Sequence, residues 1–256
     1  KHFLTPGIAT IAEDRFPSLG QGNGTRRLYN NLLSSQPMCF NLFGPLKHDL
    51  ALATRLLRHL PAFPDDAEVV RIDFEWAPSK AQHLNDATAF DVFVSYKRPG
   101  GKNGFIGIET KLTEPFSQQR YEFTERYARW KSSKGWWWKQ GEEKAFPDLA
   151  FNQLWRNHLL VFAMLRQDPT QYTEGYCAVV HHKSDKHCDE AIAAYRKHLL
   201  PNGDKTLLEW PLDTVVAAWE AALQTREQKA WLKSFTTRYL DLDRSAEYWA
   251  VFQEKI

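Results

Sequence analysis

The chain has 256 residues, 43% hydrophobic and 25% charged, which is ordinary globular usage and excludes a mainly disordered protein. At this length roughly 70–75% of the unfolded surface is buried on folding, so no metal or disulfide is needed to hold a core. Cys39, Cys177 and Cys188 cannot form a disulfide framework, and the longest strongly apolar run, residues 159–165, cannot span a bilayer; with no leader pattern at the start, the expected location is cytoplasmic, without membrane contact.

Residues 1–25 are rich in Gly and Pro and read as an irregular arm. The Gly20-Gln21-Gly22-Asn23-Gly24 run has the glycines of a phosphate loop but no preceding strand and no following Gly-Lys-Ser/Thr, so it reads as a flexible loop. From Arg26 to Leu60 apolar residues recur at helical spacing, including Leu28, Leu32 and Leu33. Pro37 and Gly44-Pro45 interrupt them, which predicts two helices separated by a kink. The period then falls to two. Residues 69–76 form a first strand, stopped by Pro78, and residues 88–96 a second. Residues 99–104 carry strong turn chemistry and residues 105–112 form a third strand, so strands two and three should make a hairpin. Pro147-Asp148 opens a helix to about Arg166 whose apolar centre should be buried. Residues 175–181 are a continuous apolar strand, expected to be central, and helices follow over 189–199, 213–226 and 228–239. This order gives an α/β domain with a mixed sheet.

Chemistry concentrates on strands two and three. Glu109 and Lys111, two apart on a strand, share one face. Asp91 sits mid-strand between Phe90 and Val92, where an unpartnered carboxylate is costly. Across a hairpin Asp91 and Glu109 come close, and two such acids repel unless a cation joins them or one keeps its proton. A hard ion such as Mg²⁺ suits these oxygens. Glu-x-Lys also occurs at Glu142 and Glu227, but in a polar loop and a charged helical segment; only Glu109 lies inside an alternating strand.

Asp91, followed eighteen residues later by Glu109-Thr110-Lys111 on strands two and three of this order, resembles the PD-(D/E)XK nuclease superfamily. Ser34-Ser35-Gln36 on the early helix is similar to a segment of restriction-endonuclease-like proteins within it, and Phe90 stands where the motif's Pro would be. The resemblance covers roughly residues 26–182. It implies a restriction-endonuclease-like αβββαβ core with a mixed central sheet and a helical C-terminal extension. The corresponding division is an arm over 1–25, a nuclease core over 26–188 with a basic, Trp-rich insert at about 115–146, and the extension over 189–256. The implied activity is metal-dependent phosphodiester hydrolysis by a DNA endonuclease of restriction or phage-defence type. Asp91, Glu109 and the backbone carbonyl of Thr110 would hold Mg²⁺, with Mn²⁺ able to substitute; Lys111 would orient the attacking water, and Gln153 would reach the site. Nucleic acid, taken as DNA, is the implied partner, with a homodimer as one arrangement. The alternatives are a nuclease-fold module that binds nucleic acid without cutting, and a nuclease acting on RNA or branched DNA.

Other residues stay open at this level. Arg156 and Asn157 lie about one turn beyond Gln153. Glu75 reads as an auxiliary acid or a surface carboxylate, and Ser35 and Gln36 either face the site or cap the break before Pro37. Residues 97–144 hold eleven Lys/Arg against six Asp/Glu, a local net of +5. Within them Arg126, Arg129, Lys131, Trp137 and Lys139 suit either phosphates and unstacked bases or a subdomain packed on the core. His181, His182, His187 and Cys188, with Cys177 nearby, fit no familiar tetrahedral zinc spacing.

Overall fold

Five strands form one mixed sheet in chain order: β1 (Glu68–Trp76), β2 (Phe90–Arg98), β3 (Lys102–Thr110), β4 (Glu174–His181) and β5 (Leu207–Pro211). The structure is a computed structural model that describes residues 2–17, 28–31, 34–117 and 119–241. The Gly20–Gly24 run and the Leu32-Leu33 pair lie outside these residues. β1, β2 and β3 are antiparallel, while β4 and β5 run parallel to β3. The expected hairpin turns through Gly100 and Gly101, whose φ values of 78° and 75° are left-handed and suit glycine alone without strain. β4 lies between β3 and β5, inside the sheet as expected. The edge strand β5 was not anticipated: five residues are too few to show a period, and Leu212 after them already belongs to the next helix.

One sheet face is covered by α1 (Pro6–Arg15), α2 (Ser35–His48), α3 (Leu50–Leu57), α8 (Leu212–Glu220) and α9 (Arg226–Tyr239), whose Ile8, Phe40, Leu56, Trp219 and Phe235 meet Val92 and Ile106 in one core. The other is covered by α5 (Asn152–Gln167) and α6 (Lys186–Arg196), with the short helices α4 (Glu125–Ala128) and α7 (Pro201–Asp204) and the tryptophan segment. Helix α1 corrects the expectation of an irregular opening over its residues. Thr5 accepts from the Ile8 amide at 3.3 Å and Pro6 fills the first helical position, a start signal strong enough to outweigh Gly7.

The expected kink is displaced as well. Pro37 occupies the third position of α2, where its missing N–H would have been unpaired in any case. Pro45 lies within α2 and frees the carbonyl of Asn41, one turn earlier; Trp231 Nε1 on α9 donates to that carbonyl at 2.8 Å. The helix therefore continues to His48. The break falls at Asp49, whose side chain caps α3 by accepting from the Leu52 amide at 2.8 Å.

The tryptophan segment packs inward. Trp130, Trp137 and Trp138 are buried, and Trp137 and Trp138 meet Phe162 and His158 edge-on or tilted. Four of its cations bond protein atoms: Arg126 and Arg129 donate to carbonyls of Asn85 and His83, Lys131 pairs with Glu143, and Lys139 donates to the carbonyl of Lys197. Of the two readings of these tryptophans, core packing is the one the structure supports. A directional chain runs through this core. Thr206 Oγ1 gives its hydrogen to Gly203 O (2.7 Å), so it accepts from His158 Nε2 (2.8 Å); His158 Nδ1 then accepts from Tyr195 OH (2.9 Å), which accepts from Trp138 Nε1 (2.8 Å). Burial holds His158 at a pKa of about 3, so its ring is neutral.

Candidate active site

Three carboxylates line up across the sheet. The ladder pairs Phe74 with Val92 and Trp76 with Phe90, which sets Glu75 opposite Asp91. It pairs Val92 with Ile108, so Asp91 and Glu109 are the next step of the hairpin. Neighbouring strands lie about 4.7–4.9 Å apart, so the row is a concentrated negative feature at one end of the sheet. Each acid has partners of its own. Asp91 Oδ2 accepts from the Thr110 amide at 2.7 Å and from Thr110 Oγ1 at 2.8 Å. Burial, followed by the Glu109 and Glu75 charges, pushes the Asp91 carboxyl well above the ordinary carboxylate range.

Glu109 is 2% exposed and lies on β3, next to the β4 backbone. Its Oε1 pairs with Lys111 Nζ at 2.7 Å and accepts from Gln153 Nε2 at 2.6 Å; its Oε2 accepts from Asn157 Nδ2 at 2.8 Å. Gln153 Oε1 in turn accepts from Lys111 Nζ at 3.1 Å and from the Ser117 amide at 2.7 Å. Gln153 thus bridges acid and lysine, as its position on the helix after strand three suggested. Asn157 one turn later does comparable work that sequence reasoning did not assign, although two amides four apart on one helix face were visible. Arg156, between them, turns instead to Thr88 Oγ1 at 2.7 Å and lies over Tyr121. Burial alone would lower the Lys111 pKa, but Glu109 and Asp91 outweigh it and raise it, so the ammonium stays charged.

Of the two roles considered for Ser35 and Gln36, the cap falls instead to Ser34, while both of them turn toward acids beside the site. Ser34 caps α2, accepting from the Gln36 amide at 3.3 Å. The Ser35 amide and hydroxyl donate to Glu114, just beyond Lys111. Gln36 Nε2 donates to Glu75 Oε1 at 3.0 Å. Glu75 has a left-handed φ of 49°, and Arg15 of α1 donates to its carbonyl at 2.8 Å. A strained residue held at carbonyl and side chain is a feature of functional sites.

The donor set fits a hard divalent cation. It offers carboxylate oxygens, the Asp91 carboxyl is disfavoured in its charged form by burial and then by its acidic neighbours, and a cation would relieve that repulsion. The family of the chain can now be read from a comparison with family models, where the PD-(D/E)XK nuclease superfamily matches residues 1–241.

The chain belongs to the PD-(D/E)XK nuclease superfamily.

The match extends past residue 182, where the sequence resemblance stopped, and takes in β5, α8 and α9. The five-stranded mixed sheet with its helices has the restriction-endonuclease-like architecture of that superfamily, whose members hydrolyse nucleic acid and generally use divalent metals. No curated protein and no solved structure matches the chain. Among the described residues no helix is long and apolar enough to cross a membrane.

Proposed function

We propose that the protein is a Mg²⁺-dependent DNA endonuclease of restriction or phage-defence type, acting in the cytoplasm, with Asp91, Glu109, Lys111 and Gln153 as its catalytic set. The reading rests above all on one observation: Lys111 Nζ is held 2.7 Å from Glu109 beside Asp91, the acid, acid and lysine of the superfamily motif brought to one sheet end. Asp91, Glu109 and the Thr110 carbonyl would hold the metal. When bound it supplies Lewis-acid activation of the scissile phosphate and lowers the pKa of a coordinated water. Lys111, protonated, is unsuited to act as a base; it orients the attacking water and stabilises negative charge developing on the phosphate. Gln153 fixes the relative positions of Glu109 and Lys111 through both ends of its amide. Glu75, opposite Asp91 and held by Gln36, serves as the auxiliary acid. In-line attack leaves a 5′-phosphate and a 3′-hydroxyl.

The test incubates purified protein with plasmid, linear DNA and RNA, with Mg²⁺ or with EDTA. Cleavage of DNA that requires Mg²⁺ and is abolished in Asp91→Asn and Glu109→Gln is expected. Tight nucleic-acid binding with no cleavage of any substrate would favour the silent binding module, and cleavage confined to RNA would overturn the DNA assignment.

A further inference from the structure

A second group of metal-ligating side chains stands apart from the carboxylate row. His181 ends β4, Glu209 lies on the edge strand β5, and Asp189 lies in α6, whose Ala191 and Ile192 share a core with Val179 of β4 and Leu207 of β5. One ligand atom from each can be chosen so that all three lie within 4.8 Å of one another, the group of this kind found among the described residues. The imidazole is 1% exposed, whereas both carboxylates reach solvent, so the group is open on one side.

The hydrogen bonds of the ring point to a ligand. Nδ1 lies 3.2 Å from the carbonyl of His182 and 3.5 Å from Asp189 Oδ1. A carbonyl can only accept, so in the neutral ring Nδ1 carries the hydrogen and Nε2 is left as a lone pair. That buried Nε2 has no hydrogen-bond partner, and it faces Glu209 Oε1 at 3.4 Å, another acceptor. Two acceptors facing each other in a buried place are unfavourable unless something positive lies between them. A histidine that donates one ring N–H to a backbone carbonyl, here that of His182, and presents the other nitrogen is a usual second-sphere arrangement of a metal ligand. Of the cations nearby, Arg196 approaches Glu209 only at 4.0 Å and on the other oxygen, Oε2, leaving Oε1 toward the ring.

We infer that His181 Nε2, Glu209 and Asp189 form a binding site for a divalent transition-metal ion, distinct from the Asp91–Glu109 centre. One imidazole with two carboxylates selects first-row ions such as Zn²⁺ or Co²⁺ over Mg²⁺, which prefers oxygen alone and keeps its waters. Three protein ligands leave an open position for water or an anion. The site is one strand from Lys111, whose amide donates to the carbonyl of Val180, the residue before His181. An ion here would clamp α6 to the free edge of the sheet.

The inference is tested with Co²⁺ on the full chain carrying Asp91→Asn and Glu109→Gln, which removes the other centre and needs no cleavage assay. Calorimetry should give one Co²⁺ per chain, with d–d absorption showing nitrogen and oxygen coordination. Glu209→Gln, at a half-exposed position that tolerates the change, should bind at least tenfold more weakly, Asp189→Asn should weaken binding too, and His181→Gln should lose the nitrogen signature. Zn²⁺ should raise the melting temperature of the parent and leave that of Glu209→Gln unmoved. No Co²⁺ bound in the parent, or unchanged affinity in Glu209→Gln, would overturn the site. A nuclease assay on the unmodified chain reports separately on the proposed activity, so either reading can fail alone.

Discussion

Replacing Lys111 by Met isolates what the ammonium does for the fold. The pair is almost dry, with side-chain exposures of 7% for Lys111 and 3% for Glu109 at 2.7 Å. At an effective dielectric of about 20 the Coulomb attraction at that distance is about 6 kcal/mol, which desolvation of the two ions largely cancels. Removing both charges should therefore cost little. Removing Lys111 alone leaves a buried carboxylate beside Asp91 with only the Gln153 and Asn157 amides to hold it. That asymmetry is worth about 3–5 kcal/mol. In a chain of this size it lowers the melting temperature by roughly 6–20 °C. Thermal melts in EDTA should place Lys111→Met far below the parent and Lys111→Met/Glu109→Gln close to it. Added Mg²⁺ should narrow the deficit of Lys111→Met, since a cation takes over the neutralisation. Equal melting of the single and double variants would refute the reasoning.

Four further outcomes are expected. The Asp91 carboxyl, raised by burial and by Glu109 and Glu75, ionises at a higher pH than an ordinary carboxyl, and a cation binds its charged form; Mn²⁺ affinity measured by calorimetry should thus rise with pH, at most about tenfold per unit, until Asp91 ionises and then level off, and a flat profile would contradict it. His158, with a folded pKa of about 3 against an ordinary 6.5, binds fewer protons folded than unfolded, so stability should fall by up to about 1.4 kcal/mol per unit as pH drops below 6.5 and level near pH 3. Urea titrations of His158→Asn should lack that component. Gln36→Leu removes the amide that donates to Glu75 Oε1 and should slow cleavage about 10–100-fold with the melting temperature nearly unchanged; wild-type rates would remove Glu75 from the site. Trp137→Ala should cost about 3–5 kcal/mol of stability while the salt dependence of nucleic-acid binding stays as in the parent, and a selective loss of single-strand affinity would revive base stacking.

Much of the site was legible because it depends on period and spacing. Alternation marked β1 to β3, the Pro-Gly-Gly turn fixed the hairpin, and strand geometry put Glu109 and Lys111 on one face. What was not legible depends on register between strands or on contacts between distant segments. Nothing local in Glu75 shows that it lies opposite Asp91, or that Arg15 and Gln36 converge on it from two helices. The His181 group likewise draws on β4, α6 and β5, and β5 was itself too short to detect. Helix α1 is a different case: Thr5-Pro6 was a readable start, outweighed by the glycine and proline content around it.

The proline inside α2 bears on the order in which the chain can be assembled during synthesis. A helix normally satisfies its own carbonyls from within, as soon as the next turn is made. At Pro45 that cannot happen, and the hydrogen supplied to Asn41 O comes from Trp231, 190 residues later. The Asn41 side chain is also tied to two segments far apart in the sequence, to Leu4 N and His2 O on one side and Tyr239 OH on the other. While the ribosome is still making the middle strands, α2 therefore carries an unfilled rung, open to water. It closes only when α9 has emerged, so one of the earliest helices and the last described one reach their final state together.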